Sequence, residues 1–463
     1  MTGASLAARL AGAGFDPEGI PAKRRLADAV LLKFFGHADG APDGAWWTPG
    51  RLEVFGKHTD YAGGHTLIAA VPHGFLIVAR RRPDGVVRLA DARRHEALTL
   101  TPDVHGSSAQ SYAGWRNYAA VVVRRLARNF PGAAYGGDIV FASDLPSASG
   151  MSSSSALVVG LAAAIAEVAR LRDRPEWREN LPDPHAEAGY YACIENGKTF
   201  GSLQGDDGVG TQGGSEDHVA IVCGRPGVLS TWRFMPVQPV EDVPLPQGWT
   251  FVVASSGVAA RKTGEAMGAY NRLSAEVADL LGCWNAGEPA APEHQEWGSP
   301  AIDLPAPSLR AALETSPSAE ERLLARIKAR RHDPLAARAL EHRLSHFLRE
   351  DSRVLEAAAA FRKADRHRLG ALSHASQQDA EMLLGNGVPE TIELARSARE
   401  LGAFAASSFG AGFGGSVWAL VESGEAAVFA TRWLAGYQSA FPARAAAATV
   451  FIARPAPGVR RLG

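Results

Sequence analysis

Residues 152–171, SSSSALVVGLAAAIAEVARL, run nearly uncharged through roughly five helical turns behind a serine cluster. A helix with so little polar surface is stable only inside a core. The surrounding segments can build that core. LADAVLLKFFG carries apolar residues at three- and four-residue spacing and predicts a leading helix, and residues 115–130, WRNYAAVVVRRLARNF, predict an amphipathic one. Between them, from Trp47 on, RLEVF, HTLIAAV and FLIVARRR predict three strands, and VVRLADA a fourth beyond a Pro83-Asp84-Gly85 turn. DIVFAS adds a strand, HAEAGYYACIENGKTF a helix, and AIVCG a strand after a glycine-rich stretch. Helices and strands sharing one region predict an α+β fold.

At 463 residues the chain is long enough for two or three domains. The stretch PVQPVEDVPLPQG, with four prolines in 13 residues, resists both helix and sheet interior and predicts a boundary. The first domain then covers residues 1–235 and the second 248–463, the latter opening on the strand WTFVVASS and a helix over 263–281. A Pro/Gly-rich insertion near 284–308 lacks periodicity, helical patterns resume over roughly 335–402, and the chain closes on SSFGAGFGGSVWALV and the strand TVFIARP.

With 48 basic and 49 acidic side chains and no long run of one sign, the chain lacks the cationic field of a nucleic-acid binder. Its 46% hydrophobic content is that of a folded globular protein. Cys193, Cys223 and Cys283 are too few and scattered for a disulfide framework or a zinc site, which suits a reducing compartment. No segment approaches the roughly 18 consecutive apolar residues of a membrane span, and the N-terminus lacks a signal-peptide pattern. These features predict a soluble cytoplasmic protein.

Three motifs carry chemistry. In residues 49–64, PGRLEVFGKHTDYAGG, a strand delivers Arg51 to a polar loop containing Lys57, His58, Thr59, Asp60 and Tyr61. Asp60 can accept from two hydroxyls, His58 donates or accepts, and Arg51 offers a fixed cationic fork. That set suits a polyhydroxylated ligand, although a plain polar hairpin reads the same way. In residues 145–157, LPSASGMSSSSAL, Gly150 permits close backbone approach, and Ser152, Ser153 and Ser154 open the apolar helix. The unpaired first amides and positive dipole end of such a helix suit a phosphate, with serine capping of a core helix as the alternative. This is not a Walker loop, because Gly197-Lys198-Thr199 has Ala192 where the first glycine belongs. Residues 407–420, SSFGAGFGGSVWAL, set Gly410, Gly412, Gly414 and Gly415 between a helix and a strand, which tight packing alone also explains.

Together and in this order, over almost the whole chain, the three motifs resemble the GHMP kinase superfamily, and the first resembles its galactokinase-like branch. Trp115, Asn117, Tyr118, Tyr270 and the SHASQQDA stretch around His374 are similar to the same branch. The resemblance implies two α+β domains with the active site in the cleft between them, ATP and Mg²⁺, and phosphorylation of the anomeric hydroxyl of galactose or a close relative. It implies Asp217 as catalytic base with Arg51 beside it, and Lys57, His58, Asp60, Gly214 and Tyr270 on the sugar. Gly150, Ser152, Ser153, Ser154 and Trp115 would bind ATP, and Ser154 with Glu195 would hold the magnesium. Arg51 would keep Asp217 ionised and steady charge near the transferred phosphoryl group. The expected partners are the sugar and ATP, with no nucleic acid and no membrane, leaving monomer and homodimer both open.

The chain also departs from the family pattern. Galactokinases usually carry glutamate where this chain has Lys57, facing the sugar's C6 group. Lys57 then either pairs with a C6 carboxylate, making the substrate a uronate such as galacturonate, or points to solvent with galactose still the substrate. The Gly214-Ser215-Glu216-Asp217-His218 ending differs from the family's Met-Asp-Gln, and Glu195 lies 22 positions before Asp217, farther than is common. Two other readings are a non-catalytic sugar sensor, which would lack part of the serine motif, and a kinase of another branch acting on mevalonate or a heptose. The His58-Thr59-Asp60-Tyr61 run argues against the last.

Overall fold

The computed structural model describes residues 1–15, 17–94, 96–102, 112–146, 149–259, 265–286, 305–330 and 333–463. Most of the expected insertion near 284–308 lies outside the described residues, as do the first two residues of the helix expected over 263–281.

Helices and two sheets make up an α+β fold. The first sheet contains β1 (Gly44–Phe55), β2 (His65–Arg81), β3 (Val87–Asp91), β4 (Glu96–Leu100), β5 (Gly137–Ser143), β6 (Val228–Arg233) and β7 (Gln238–Pro244). The second contains β8 (Trp249–Ser255), β9 (Ala405–Phe409), β10 (Ser416–Glu422) and β11 (Thr449–Ala453), in the order β11-β8-β10-β9 and antiparallel throughout. A last short strand, β12 (Arg460–Arg461), returns to the first sheet, whose order is β12-β1-β2-β5-β3-β4 with β6 and β7 branching from β2. β3 and β5 pair in parallel.

Three segments differ from their sequence expectation. HTLIAAV and FLIVARRR form one continuous strand, β2, because Pro72 falls opposite the irregularity between Pro49 and Arg51 of β1, where no ladder bond is lost. PVQPVEDVPLPQG is not all linker: residues 238–244 form β7, which pairs on one side with β6, and an edge strand tolerates proline. The change of sheet therefore falls between Pro244 and Trp249, and the chain end crosses back to pair Trp46 with Arg461. AIVCG lies in the Glu216–Cys223 helix rather than in a strand. A short apolar run fits either period, and here Val219, Ala220 and Ile221 are all buried against neighbouring layers.

The apolar helix spans Ser153–Val168, and 13 of its 16 residues are buried. It packs with Ile77, Ile139 and Phe141 of the first sheet and with the Trp115–Asn129 helix. The other face of that sheet is covered by the Gly3–Gly12 and Ile20–Phe35 helices. A further core joins the sheets: Leu52, Val54 and Phe55 of β1 pack with Phe251, Trp418 and Leu420 of the second sheet and Val354 of the Pro334–Arg362 helix. Each such side chain contributes about 1.5–3 kcal/mol on burial. That shared core holds the end of β1 against the second sheet, and the candidate site lies along its rim.

Among the described residues no helix is long and apolar enough to cross a membrane, and Cys193, Cys223 and Cys283 are free thiols.

Candidate active site

β1, the loop after it and the first turn of the Glu216–Cys223 helix meet at a cavity lined by Arg51, His58, Asp60, Glu195, Gly214, Asp217 and Tyr270 with their neighbours. Arg51 is 3% exposed. Its Nε donates to Asp217 Oδ1 at 2.7 Å and its Nη1 to the Gly150 carbonyl at 2.6 Å. Burial alone disfavours the cation, but Asp217, Glu216 and Glu53 together hold the guanidinium more firmly protonated than usual. Asp217 stands in the first turn of its helix, where the dipole favours a carboxylate, and Ser155 Oγ approaches its Oδ2 at 3.4 Å.

The polar loop is tied to the same helix. Asp60 Oδ2 accepts the Glu216 amide at 3.1 Å. Gly214 makes this closure possible, since a Cβ there would lie 2.1 Å from Asp60 Oδ2. His58 Nδ1 meets Tyr61 Oη at 2.7 Å, and its ring lies 5.8 Å from that of Tyr270. Arg343, buried in the Pro334–Arg362 helix, anchors the loop by donating to the His58 carbonyl at 2.5 Å and to Tyr61 Oη at 3.1 Å.

Lys57 goes elsewhere. It does not line the cavity; its Nζ donates to Ser407 Oγ on β9 at 2.6 Å, in a buried seam between the two sheets. Burial lowers its pKa, partly offset by Glu350 and Glu53. Glu350 accepts the Gly56 amide at 3.0 Å and the Ser376 hydroxyl at 2.9 Å, so the SHASQQDA stretch braces this seam, with Gln377 accepting the Ser408 amide at 2.8 Å. The expectation that Lys57 faces the sugar is therefore not matched: the residue after Gly56 leaves the loop toward the second sheet.

The serine helix brings the expected magnesium donors together. Ser154 Oγ lies 3.5 Å from Glu195 Oε1, while Ser155 Oγ donates to Glu195 Oε2 at 2.8 Å and His218 Nε2 stands 3.1 Å from the same oxygen. Among the described residues no cluster of three or more His, Cys, Asp or Glu side chains is arranged to hold a metal. One carboxylate and one hydroxyl nevertheless fit Mg²⁺, which draws its remaining ligands from phosphates and water. Ser153, Ser154 and Trp115 line a second, larger cavity together with Tyr118, Asp91, Arg93 and Arg94. Trp115 Nε1 is held by Glu96 at 2.7 Å. Gly150 and Ser152 are outside that lining: the Gly150 carbonyl serves Arg51, and Ser152, in the left-handed region at φ 54°, has a buried hydroxyl with no hydrogen-bond partner. The third motif closes over the first cavity. Gly410, at φ 81°, donates its amide to Glu53 Oε2 at 2.7 Å, and a Cβ there would lie 2.8 Å from the Gly150 carbonyl.

Sequence reasoning missed Glu53, Glu216, Ser155 and His218 in the first cavity and the Arg93–Arg94 pair in the second. Strand alternation was a usable signal for Glu53, which follows Arg51 by two positions on β1 and shares its face. Helical period offers none for Glu216, because the AIVCG run that follows reads equally well as a strand.

Residues 32–81 match the galactokinase galactose-binding signature, residues 117–182 the GHMP kinases N terminal domain, and residues 357–438 the GHMP kinases C terminal domain. Among curated proteins, a galactokinase of Roseiflexus sp. (strain RS-1) is 30% identical, over 89% of this chain and 92% of its own length. A galactokinase of Streptomyces coelicolor is 28% identical over 91% and 95%. Among solved structures, Lactococcus lactis galactokinase complexed with galactose has a TM-score of 0.71 at 22% identity, covering 93% of this chain and 98% of that one. A mevalonate kinase reaches 0.53 at 13% identity, covering 89% and 98%.

Proposed function

Because the chain belongs to the galactokinase family and is a sugar kinase, a phosphotransferase with an alcohol group as acceptor, we propose that it transfers the γ-phosphoryl group of ATP to the anomeric hydroxyl of galactose or a closely related hexose. The observation that carries this reading is the Arg51–Asp217 pair, 2.7 Å apart in the cavity that also gathers His58, Asp60, Gly214 and Tyr270.

Asp217 takes the proton of the anomeric hydroxyl as that oxygen bonds to the γ-phosphorus, and the bond to the departing ADP breaks. Arg51 keeps Asp217 in register and offsets the negative charge gathering around it. His58, Asp60 and Tyr270 orient the ring, and Gly214 leaves room for it to approach. ATP occupies the second cavity along Trp115 and Ser153, with its phosphates toward the start of the Ser153–Val168 helix. Ser154 and Glu195 would hold Mg²⁺, which when bound neutralises phosphate charge. The two sheets would then be the cores of two domains, with the site in the cleft between them.

The uronate reading loses its reader, because the Lys57 ammonium is spent on Ser407. The sensor reading is opposed by a serine helix that is present in full and by the Arg51–Asp217 pair.

A coupled assay of ADP release with ATP, Mg²⁺ and galactose, galacturonate, glucose, N-acetylgalactosamine or mevalonate tests the proposal. Galactose-dependent release that requires Mg²⁺ is expected. Release with mevalonate alone, or with no sugar, overturns it.

A further inference from the structure

Glu53 and Glu216 take no part in the chemistry just described, yet both stand in the wall of the sugar cavity, 2% and 6% exposed. Glu53 Oε2 accepts the Gly410 amide, and Glu53 Oε1 has no hydrogen-bond partner. Glu216 Oε1 is also without one: Arg51 Nε lies 3.7 Å away and gives its hydrogen to Asp217. A buried acceptor left unmatched costs about 1–3 kcal/mol, a cost that a ligand bringing donors removes.

The charge around these oxygens points the same way. The cavity lining carries Glu53, Asp60, Glu195, Glu216 and Asp217, and Arg51 is the one permanent cation among its described residues. Burial, with repulsion from neighbouring acids, penalises the ionised forms of the Glu53 and Glu216 carboxyls, and a cation beside them offsets that penalty. Such a wall is short of one positive charge and short of hydrogen-bond donors, and an ammonium group supplies both, with three N–H bonds and no lone pair to face the second acid. A hydroxyl brings one donor, and a carboxylate brings none and adds repulsion. The position of the wall fixes where on the sugar that group belongs. Glu216 precedes Asp217 in the same helical turn and shares its arginine, so its oxygen sits beside the point where the anomeric hydroxyl meets Asp217. On a hexose the neighbouring substituent is the one at C2.

We propose that Glu53 and Glu216 are specificity-determining residues that hold a protonated amino group at C2, so that this chain takes a 2-amino hexose in preference to the neutral hexose and refuses hexuronates. This inference rests on the sugar 1-kinase reading for its orientation of the ring.

The test measures kcat/KM with ATP and Mg²⁺ for 2-amino-2-deoxygalactose, galactose, 2-deoxygalactose and galacturonate, and the Kd of each sugar for the full chain by calorimetry. The amino sugar is expected to exceed galactose by about tenfold or more in both, which is about 1.4 kcal/mol, and galacturonate to trail galactose by at least as much. Glu53→Gln and Glu216→Gln are each expected to shrink the amino-to-neutral ratio by about tenfold; because the ratio is taken within one preparation, loss of folded protein does not move it. Galactose equal to or better than the amino sugar in the unmodified chain overturns the inference and leaves the kinase reading standing. Selective binding of the amino sugar without turnover of any sugar upholds the acidic wall and overturns the kinase reading. An unchanged ratio in both glutamine variants overturns the role given to the two acids, whatever the unmodified chain prefers.

Discussion

Asp60 Oδ2 accepts the backbone amide of Glu216 at 3.1 Å, so the loop that follows β1 also ties down the first turn of the helix that carries Asp217. The polar loop and the proposed base are one mechanical unit although 156 positions separate the two hydrogen-bonded residues. Moving either end moves the other.

Gly214→Ala tests that unit. The added Cβ would fall 2.1 Å from Asp60 Oδ2, and the listener of that clash is Asp60 rather than a flexible surface chain end. We expect KM for the sugar to rise at least tenfold with nucleotide affinity little changed, read from steady-state kinetics and calorimetry. Unaltered sugar KM would mean that the closure does not position the sugar.

Asp217→Asn keeps the shape of the side chain and removes its ability to take a proton. Turnover is expected to fall by about 10²–10⁴-fold, the usual contribution of a positioned base, while ATP still binds. Single-turnover measurement with bound ATP checks this, and near-normal turnover rules Asp217 out as the base.

Lys57→Met removes the buried ammonium that serves Ser407. The loss of that hydrogen bond and of the balance with Glu350 is expected to destabilise the chain by about 1–3 kcal/mol in denaturant melts. The galactose-to-galacturonate preference should stay as it was. A changed preference would return Lys57 to the sugar.

Glu53 gives a pH signature. Burial pushes its carboxyl from an ordinary 4.5 up to about 7 in the folded chain. The folded state therefore binds that proton more tightly than the unfolded state, and the contribution to stability is full below the unfolded value and lost as pH rises through the folded one. Thermal melts across about pH 4.5 to 7 should show a smaller fall in Tm for Glu53→Gln than for the parent chain. Parallel slopes would exclude Glu53 as the group responsible.

Much of this molecule is legible in its sequence because the signals are local. A serine cluster ahead of an uncharged apolar run has one stable outcome, a core helix with its N-terminus open, and it is found at Ser153–Val168. A strand that ends in a glycine and a polar loop places Arg51, His58 and Asp60 by period and turn, and the three motifs in order are enough to indicate the family. Tertiary structure decided what local signals leave open. AIVCG is helical because two layers close over it, and the proline-rich stretch holds a strand because that strand has only one neighbour to satisfy. Lys57 turns from the first cavity because Ser407, 350 positions later, lies within reach of its amine, and Glu53 and Glu216 share that cavity because β1 and a distant helix converge on Arg51. Which charge faces a ligand and which faces a neighbour depends on distances across the fold, and neither periodicity nor spacing carries those distances.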